Sequence, residues 1–213
     1  MKKKFLDARH LEFSHLMQDK VVGTQYGGIA TVYDLHTGQL SRTLKPSKRN
    51  GYSGNRATFD PTDSFILSDG VLWDVRAPRQ LHCFDKLNQT LTDVFHPNGL
   101  EIISNTEVWD TRTFHLLRTV PELDQCQVKF NYGGEVIFAQ FENVEECESE
   151  TRFLTAFKTL DPSDYSPIAT IDTKNIVAGL CSSRNDYYLA VNEESTVRLY
   201  EVGRLSTEGG SKR

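Results

Sequence analysis

The residue types that most often carry catalysis or bind metals are scattered in this chain. Six histidines and four cysteines occur in 213 residues, and no two cysteines form a C-x-x-C pair. Neither set has the spacing of a zinc site, because zinc ligands recur at short intervals. The sequence also lacks the phosphate-binding, dinucleotide-binding, zinc-protease and serine-hydrolase motifs. We therefore expect a protein that is not an enzyme and that holds no metal and no cofactor.

A four-residue pattern suited to contact with another protein occurs twice. Residues 73–76 read Trp-Asp-Val-Arg, and residues 109–112 read Trp-Asp-Thr-Arg. If such a pattern lies on a strand, alternation directs Trp73 to one face and both Asp74 and Arg76 to the other. The carboxylate can accept backbone N–H groups, and the guanidinium offers five donors. Spacing alone leaves two interpretations of the two arginines open, namely contact with a partner or solvation at the surface.

The two patterns belong to a longer repeat. The aromatic residues that anchor it lie 40, 36 and 91 residues apart; they are Tyr33, Trp73, Trp109 and Tyr200. The last interval has room for two repeats, and Phe157 is the predicted anchor between them. A second series keeps nearly the same period, at 36 and 35 residues; it consists of Phe59, Phe95 and Phe130. Two independent series with one period indicate a repeat array.

Each repeat contains turns and short strands. In residues 96–99 (His-Pro-Asn-Gly), Pro, Asn and Gly occupy positions that a type I turn favours. Asp60 and Asp63 flank a similar segment, so we predict turn residues there and not a catalytic carboxylate pair. Each repeat of roughly 36–48 residues therefore has about four strands, which is typical of a WD-repeat β-propeller blade. We expect Trp73 and Trp109 to pack between neighbouring sheets.

Composition and charge argue against several other classes of protein. The net charge of −5 provides no cationic field for nucleic acid or for anionic lipid, so we expect contact with neither. No window approaches 18 apolar residues, and no apolar stretch follows the basic start, so neither a transmembrane helix nor a signal peptide is predicted. The four cysteines are therefore expected to be reduced inside the cell. Residues 142–150 include five Glu and are predicted to form a mobile loop.

Three stretches resemble a known family: residues 69–76, 94–101 and 109–117. They are similar to the C-terminal WD-repeat domain of the Vpr-binding protein family, the substrate receptors of cullin-4 ubiquitin ligases, and the likeness extends over nearly the whole chain. The resemblance implies an all-β fold, an incomplete WD-repeat β-propeller with about four to five blades of a seven-bladed ring. Residues 1–204 are expected to form this partial propeller, and residues 205–213 a disordered tail.

The resemblance also implies a function. Paired W-D-x-R motifs mark docking on the damaged-DNA-binding adaptor of cullin-4 ligases, so Arg76 and Arg112 are expected to contact the adaptor, braced by Asp74 and Asp110. The expected partners are this adaptor and the protein substrates recruited for ubiquitination, and the expected location is the nucleus and the cytoplasm. The alternative is a non-catalytic WD-repeat scaffold that has lost adaptor binding through truncation.

Overall fold

A computed structural model describes residues 8–25, 29–46, 55–77, 79–84, 93–141 and 154–202. The chain divides into two compact units, residues 1–129 with 141–149 and residues 130–140 with 150–213. The predicted loop at 142–150 and the predicted tail at 205–213 lie outside the described residues. Within the described ranges, no helix has the length and apolar character needed to cross a membrane.

The first unit contains three antiparallel four-stranded sheets, whose strands lie side by side in chain order. The first sheet consists of β1 (Ala8–Phe13), β2 (Lys20–Gln25), β3 (Ala30–Asp34) and β4 (Leu40–Leu44). The second consists of β5 (Thr58–Phe59), β6 (Phe65–Ser68), β7 (Val71–Asp74) and β8 (Gln80–Cys83). The third consists of β9 (Val94–Phe95), β10 (Glu101–Ser104), β11 (Glu107–Asp110) and β12 (Leu116–Thr119). A 3-10 turn at Pro121–Leu123 follows the third sheet.

Two further sheets complete the described part of the chain. The fourth sheet has four strands, and its first strand begins in the first unit; they are β13 (Cys126–Phe130), β14 (Ile137–Phe141), β15 (Ala156–Leu160) and β16 (Pro167–Asp172). The fifth sheet has three strands among the described residues: β17 (Val177–Ser182), β18 (Tyr188–Glu193) and β19 (Thr196–Glu201). The sheets thus recur once per sequence repeat, as the two aromatic series predict.

The turns between strands form where the sequence places Gly, Asp and Asn. The Gly99 N–H donates to the His96 carbonyl at 2.8 Å, which confirms the predicted turn between β9 and β10. Gly99 has φ +73°, a value that costs glycine little. Asp69 and Gly70 both have positive φ and join β6 to β7 in a two-residue turn, the geometry favoured by Asp-Gly in β-hairpins.

The two tryptophans pack between sheets of the first unit, as predicted. Trp73 is 7% exposed and belongs to a cluster that includes Val22 of the first sheet and Phe59 of the second. Trp109 is partly buried, and its ring lies edge-on to Phe84 with centroids 5.4 Å apart. Each indole therefore fixes the end of the strand that carries the following aspartate.

Two carboxylates of the first unit join its first and second sheets. Glu12 of β1 accepts hydrogen bonds from the Phe59 N–H at 2.8 Å and the Thr58 hydroxyl at 2.9 Å. Asp63 accepts the backbone N–H groups of residues 15, 16 and 17 at 2.6, 2.9 and 2.8 Å. These bonds satisfy strand-end and turn donors that neither sheet could satisfy alone.

The predicted anchor at Phe157 is wrong by three residues. Ile137 pairs with Leu160, just as Ile102 pairs with Trp109 in the third sheet. Asp161 then follows Leu160 and accepts the N–H of Ser163 at 2.8 Å, as the other repeat aspartates do with their own turns. The aromatic pattern failed here because an aliphatic side chain fills the tryptophan position.

Candidate functional site

The two W-D-x-R segments form loops of the same local structure. Asp74 Oδ1 accepts the N–H of Arg76 at 2.7 Å and the N–H of Ala77 at 3.1 Å. Asp110 Oδ1 accepts the N–H groups of Arg112 and Thr113, both at 2.8 Å. A carboxylate that bonds to backbone N–H groups two and three residues ahead folds the chain into a tight turn. The aspartate of each motif therefore shapes the loop that presents its arginine.

Both arginines are exposed, but their positions do not come from strand alternation. That part of the prediction is wrong because β7 ends at Asp74 and β11 at Asp110, so each arginine lies in the turn beyond its strand. The Arg112 side chain is 71% exposed, and its Nη2 lies 3.4 Å from Asp110 Oδ2. Each aspartate holds its arginine mainly through the backbone, which leaves the guanidinium directed to solvent.

The loop aspartates are stabilised as anions. The N–H groups of Thr113 and Arg112 lower the pKa of Asp110 from 3.8 to about 2. Those of Arg76 and Ala77 likewise lower the pKa of Asp74. Hydrogen bonds donated to a carboxylate favour its charged form, so both turns keep their acceptor at neutral pH.

Arg42 holds the first of these loops and was missed by sequence reasoning. It lies on β4, and its Nη1 donates to the Asp74 carbonyl at 2.8 Å and to the Ala77 carbonyl at 2.7 Å. Its Nη2 lies 3.4 Å from the Arg76 carbonyl. One guanidinium thus gathers three carbonyls of a single turn, which a fork of fixed donors does well. Arg42 is a positioning residue for this loop.

His82 occupies the equivalent place beside the second loop. Arg42 pairs with Val32 in the first sheet as His82 pairs with Leu72 in the second. The His82 ring stacks on Phe114, with centroids 4.5 Å apart and planes 5° from parallel. Phe114 lies in the turn that contains Arg112. A sequence signal for this pair exists, since Arg42 and His82 each come nine residues after their anchors Tyr33 and Trp73.

Other residues considered as chemical groups act as turn residues. Asp60 accepts the N–H of Phe65 at 2.6 Å and the N–H of Thr62 at 3.1 Å. His96 Nδ1 accepts the N–H of Asn98 at 3.1 Å. In the part of the chain that the structure describes, no group of three or more His, Cys, Asp or Glu side chains could hold a metal ion.

Comparison with solved structures supports the architecture. The chain is similar to the β-propeller domain of Cps50 (Swd1) from Myceliophteria thermophila, with a TM-score of 0.70 at 15% identity. The match covers 98% of this chain and 69% of the propeller domain. The five sheets therefore correspond to five blades of an incomplete WD-repeat β-propeller, in line with the predicted count.

Comparison with curated proteins points to one group. No protein-family model matches the chain. The chain is 44% identical to Protein mahjong of Drosophila melanogaster. The match covers 98% of this chain and 14% of Protein mahjong. The chain is 35% and 38% identical to the DDB1- and CUL4-associated factor homolog 1 proteins of Caenorhabditis elegans and Arabidopsis thaliana, over 92% and 81% of this chain. Those matches span 12% and 10% of the respective relatives.

The chain thus covers a seventh or less of each of these relatives, and the matches extend over most of its own repeat array. The predicted resemblance to the Vpr-binding protein family is confirmed, since DDB1- and CUL4-associated factor 1 is the Vpr-binding protein. The chain is therefore a WD-repeat β-propeller segment that resembles the corresponding part of the DDB1- and CUL4-associated factor 1 proteins.

Proposed function

We propose that this chain is a substrate-receptor module of a cullin-4 RING ubiquitin ligase and that it docks on the DDB1 adaptor through Arg76 and Arg112. The observation that carries the proposal is the repetition of one loop structure. Asp74 and Asp110 fold their turns in the same way and leave an exposed arginine in each. Relatives named for association with DDB1 and CUL4 supply the identity of the partner.

The chemistry of arginine suits this role. A guanidinium presents five donors in a plane and can satisfy several acceptors of a partner at once. Arginine is also enriched among the few interface residues that contribute most of the binding energy. Because Arg76 and Arg112 are already presented by preformed turns, docking would require little ordering of the loops.

The remaining parts of the proposal concern the ligase as a whole. The module binds protein substrates and contributes no catalysis, so ubiquitin transfer belongs to the other subunits. It acts in the nucleus and the cytoplasm. It contacts neither nucleic acid nor membrane, in keeping with its net charge of −5.

A second candidate is a non-catalytic WD-repeat scaffold that does not bind the adaptor. The observation that favours it is coverage, because the chain matches only 10–14% of the length of the relatives. If their adaptor contact depends on other segments, the two loops alone would not support binding.

Titration of purified DDB1 against the chain separates the two candidates. We expect Arg76→Ala and Arg112→Ala each to weaken binding by about 1–4 kcal/mol, as buried interfacial arginines do. The Arg76→Lys/Arg112→Lys variant keeps both charges but loses the planar guanidinium groups, so we expect it to bind DDB1 more weakly than the wild type does.

Two controls accompany this titration. Lys174→Ala removes an exposed cation of the second unit and should leave the affinity unchanged. The thermal midpoint should change little in any of these variants, because the residues replaced are exposed. Undiminished affinity of the Arg76→Ala/Arg112→Ala variant would refute docking through these loops, and no binding by the wild type would favour the scaffold.

A further inference from the structure

The second unit contains a cavity that the proposed adaptor docking does not use. It has a volume of about 460 Å³ and lies between the fourth and fifth sheets. Buried apolar side chains form its floor, among them Phe138, Phe157 and Leu189. Cavities of about 300–1,000 Å³ with mostly apolar linings are the usual size and character of ligand sites. The space is therefore large enough for one or two bulky side chains of a partner.

Exposed apolar residues continue the lining to the surface. Ile168 and Tyr187 are each 58% exposed, and Val202 is 38% exposed. Exposed apolar groups that adjoin a cavity mark interaction surfaces more often than isolated ones do. Because the apolar surface extends beyond the cavity, the ligand that fits it best is an extended segment that inserts one side chain and lies across the mouth.

The charged groups of the lining are all of one sign. Among the described residues that line the cavity, Glu135, Asp186 and Glu201 are acidic, and none is Lys or Arg. Asp186 is held in place, since its two oxygens accept the N–H groups of Tyr132 at 2.9 Å and Gly133 at 2.7 Å. An anionic mouth attracts cationic partners and disfavours anionic ones.

We propose that this cavity binds a peptide segment of a partner protein in which a bulky apolar residue is flanked by Arg or Lys. The apolar side chain enters between Phe138 and Leu189, and the flanking cations lie near the carboxylates of the mouth. The site belongs to the second unit and does not depend on Arg76 or Arg112. It is a distinct surface for recognition of a basic, apolar segment.

Binding of short fluorescein-labelled peptides to the full chain tests this proposal. The probes are Gly-Arg-Phe-Arg-Gly, Gly-Arg-Gly-Arg-Gly and Gly-Glu-Phe-Glu-Gly, measured by fluorescence anisotropy. We expect the first to bind at least about tenfold more tightly than either of the others, because it alone satisfies both the cavity and its charge. Its affinity should fall as salt is added.

Variants at the cavity mouth locate the binding site. Ile168→Gln and Glu201→Gln should each weaken binding of Gly-Arg-Phe-Arg-Gly several-fold without lowering the thermal midpoint, since both residues are exposed. Leu116→Gln replaces an exposed aliphatic residue of the first unit, and Glu194→Gln replaces an exposed glutamate outside the cavity lining; neither should change binding of this peptide.

Three outcomes would overturn the proposal. One is equal affinity for the Arg-flanked and Glu-flanked peptides, and another is an unchanged affinity in both mouth variants. The third is no binding by the full chain together with binding by a variant that ends at Val202. That result would assign the cavity to the chain's own C-terminal segment.

Discussion

Replacement of Arg42 by alanine tests whether this residue holds the first arginine loop. The substitution removes two short charge-assisted hydrogen bonds, to the carbonyls of Asp74 at 2.8 Å and Ala77 at 2.7 Å. Such bonds contribute about 1.5–3 kcal/mol each, and the lower value suits a partly exposed site where water can replace the guanidinium. We therefore expect the free energy of unfolding to fall by about 3 kcal/mol, from two bonds at this lower value. For a chain of this size that corresponds to a fall in thermal midpoint of about 6–12 °C.

The assay pairs thermal unfolding with DDB1 titration. Arg42→Ala should lower both the midpoint and the adaptor affinity, because the loop that carries Arg76 loses its support. Arg79→Ala is the matched control for stability, since it removes an exposed arginine of the same loop. A midpoint for Arg42→Ala within about 2 °C of the wild type would show that these bonds contribute less than about 1 kcal/mol, so that Arg42 does not hold the loop.

Two further predictions concern the contacts between the first and second sheets. Burial opposes ionisation of Glu12, but hydrogen bonds with His10, His15 and the β5 backbone outweigh it and lower its pKa from 4.5 to about 2. Glu12 raises the pKa of His15 above 6.5. Ionised Glu12 contributes on the order of 3 kcal/mol to the free energy of unfolding above pH 4.5, and this contribution is lost as the pH falls toward 2. Protonated His15 contributes stability below pH 6.5, and this contribution is lost as the pH rises through its raised pKa. In Glu12→Gln the thermal midpoint, measured from pH 2 to pH 8, should change less with pH in both ranges. The same pH dependence as in the wild type would show that Glu12 and His15 do not stabilise this contact. Asp63→Asn should lower the free energy of unfolding, measured in urea, by about 1–2 kcal/mol. Asparagine tolerates the φ of +59° but carries no charge for the three N–H groups. A variant as stable as the wild type would show that this contact does not stabilise the fold.

The repeat architecture could be predicted from the sequence because its signals are local. The turn at 96–99 depends on residues within the turn itself, and the Trp73 and Trp109 anchors recur at one period. Local conformational preferences and a repeated apolar position are both legible without a structure. For the same reason the roles of Asp60 and His96 as turn residues were predicted correctly.

The candidate site could be predicted only in part, because its supports come from distant residues. Asp74 and Asp110 bond to N–H groups two and three positions ahead, so their role was within reach of sequence reasoning. Arg42 bonds to residues 32 and 35 positions further along. Its place nine residues after Tyr33 indicates an equivalent position in each repeat, but it does not specify which carbonyls that residue contacts. A local pattern can also mislead. In the fourth sheet Leu160 occupies the position of the tryptophan, so a search for aromatic residues places the anchor at Phe157 instead.

The two arginine loops begin where the strands end, so the alternation of side chains along a strand no longer applies to them. Alternation predicts the direction of a side chain only while the strand continues, and β11 ends at Asp110. The direction of Arg112 is then decided by the hydrogen bonds of the turn. A W-D-x-R motif is therefore better understood as a strand end followed by an aspartate-capped turn.

Site-specific photo-crosslinking to DDB1 shows whether the loops of Arg76 and Arg112 form the docking surface. A photoreactive amino acid is placed at His115, an exposed residue just after the Arg112 turn, or at Lys174 on an exposed loop of the second unit. If the arginine loops form the docking surface, the His115 variant should crosslink to DDB1, and the crosslink should disappear when Arg76 and Arg112 are both replaced by alanine. Crosslinking from Lys174 but not from His115 would place the docking surface away from these loops.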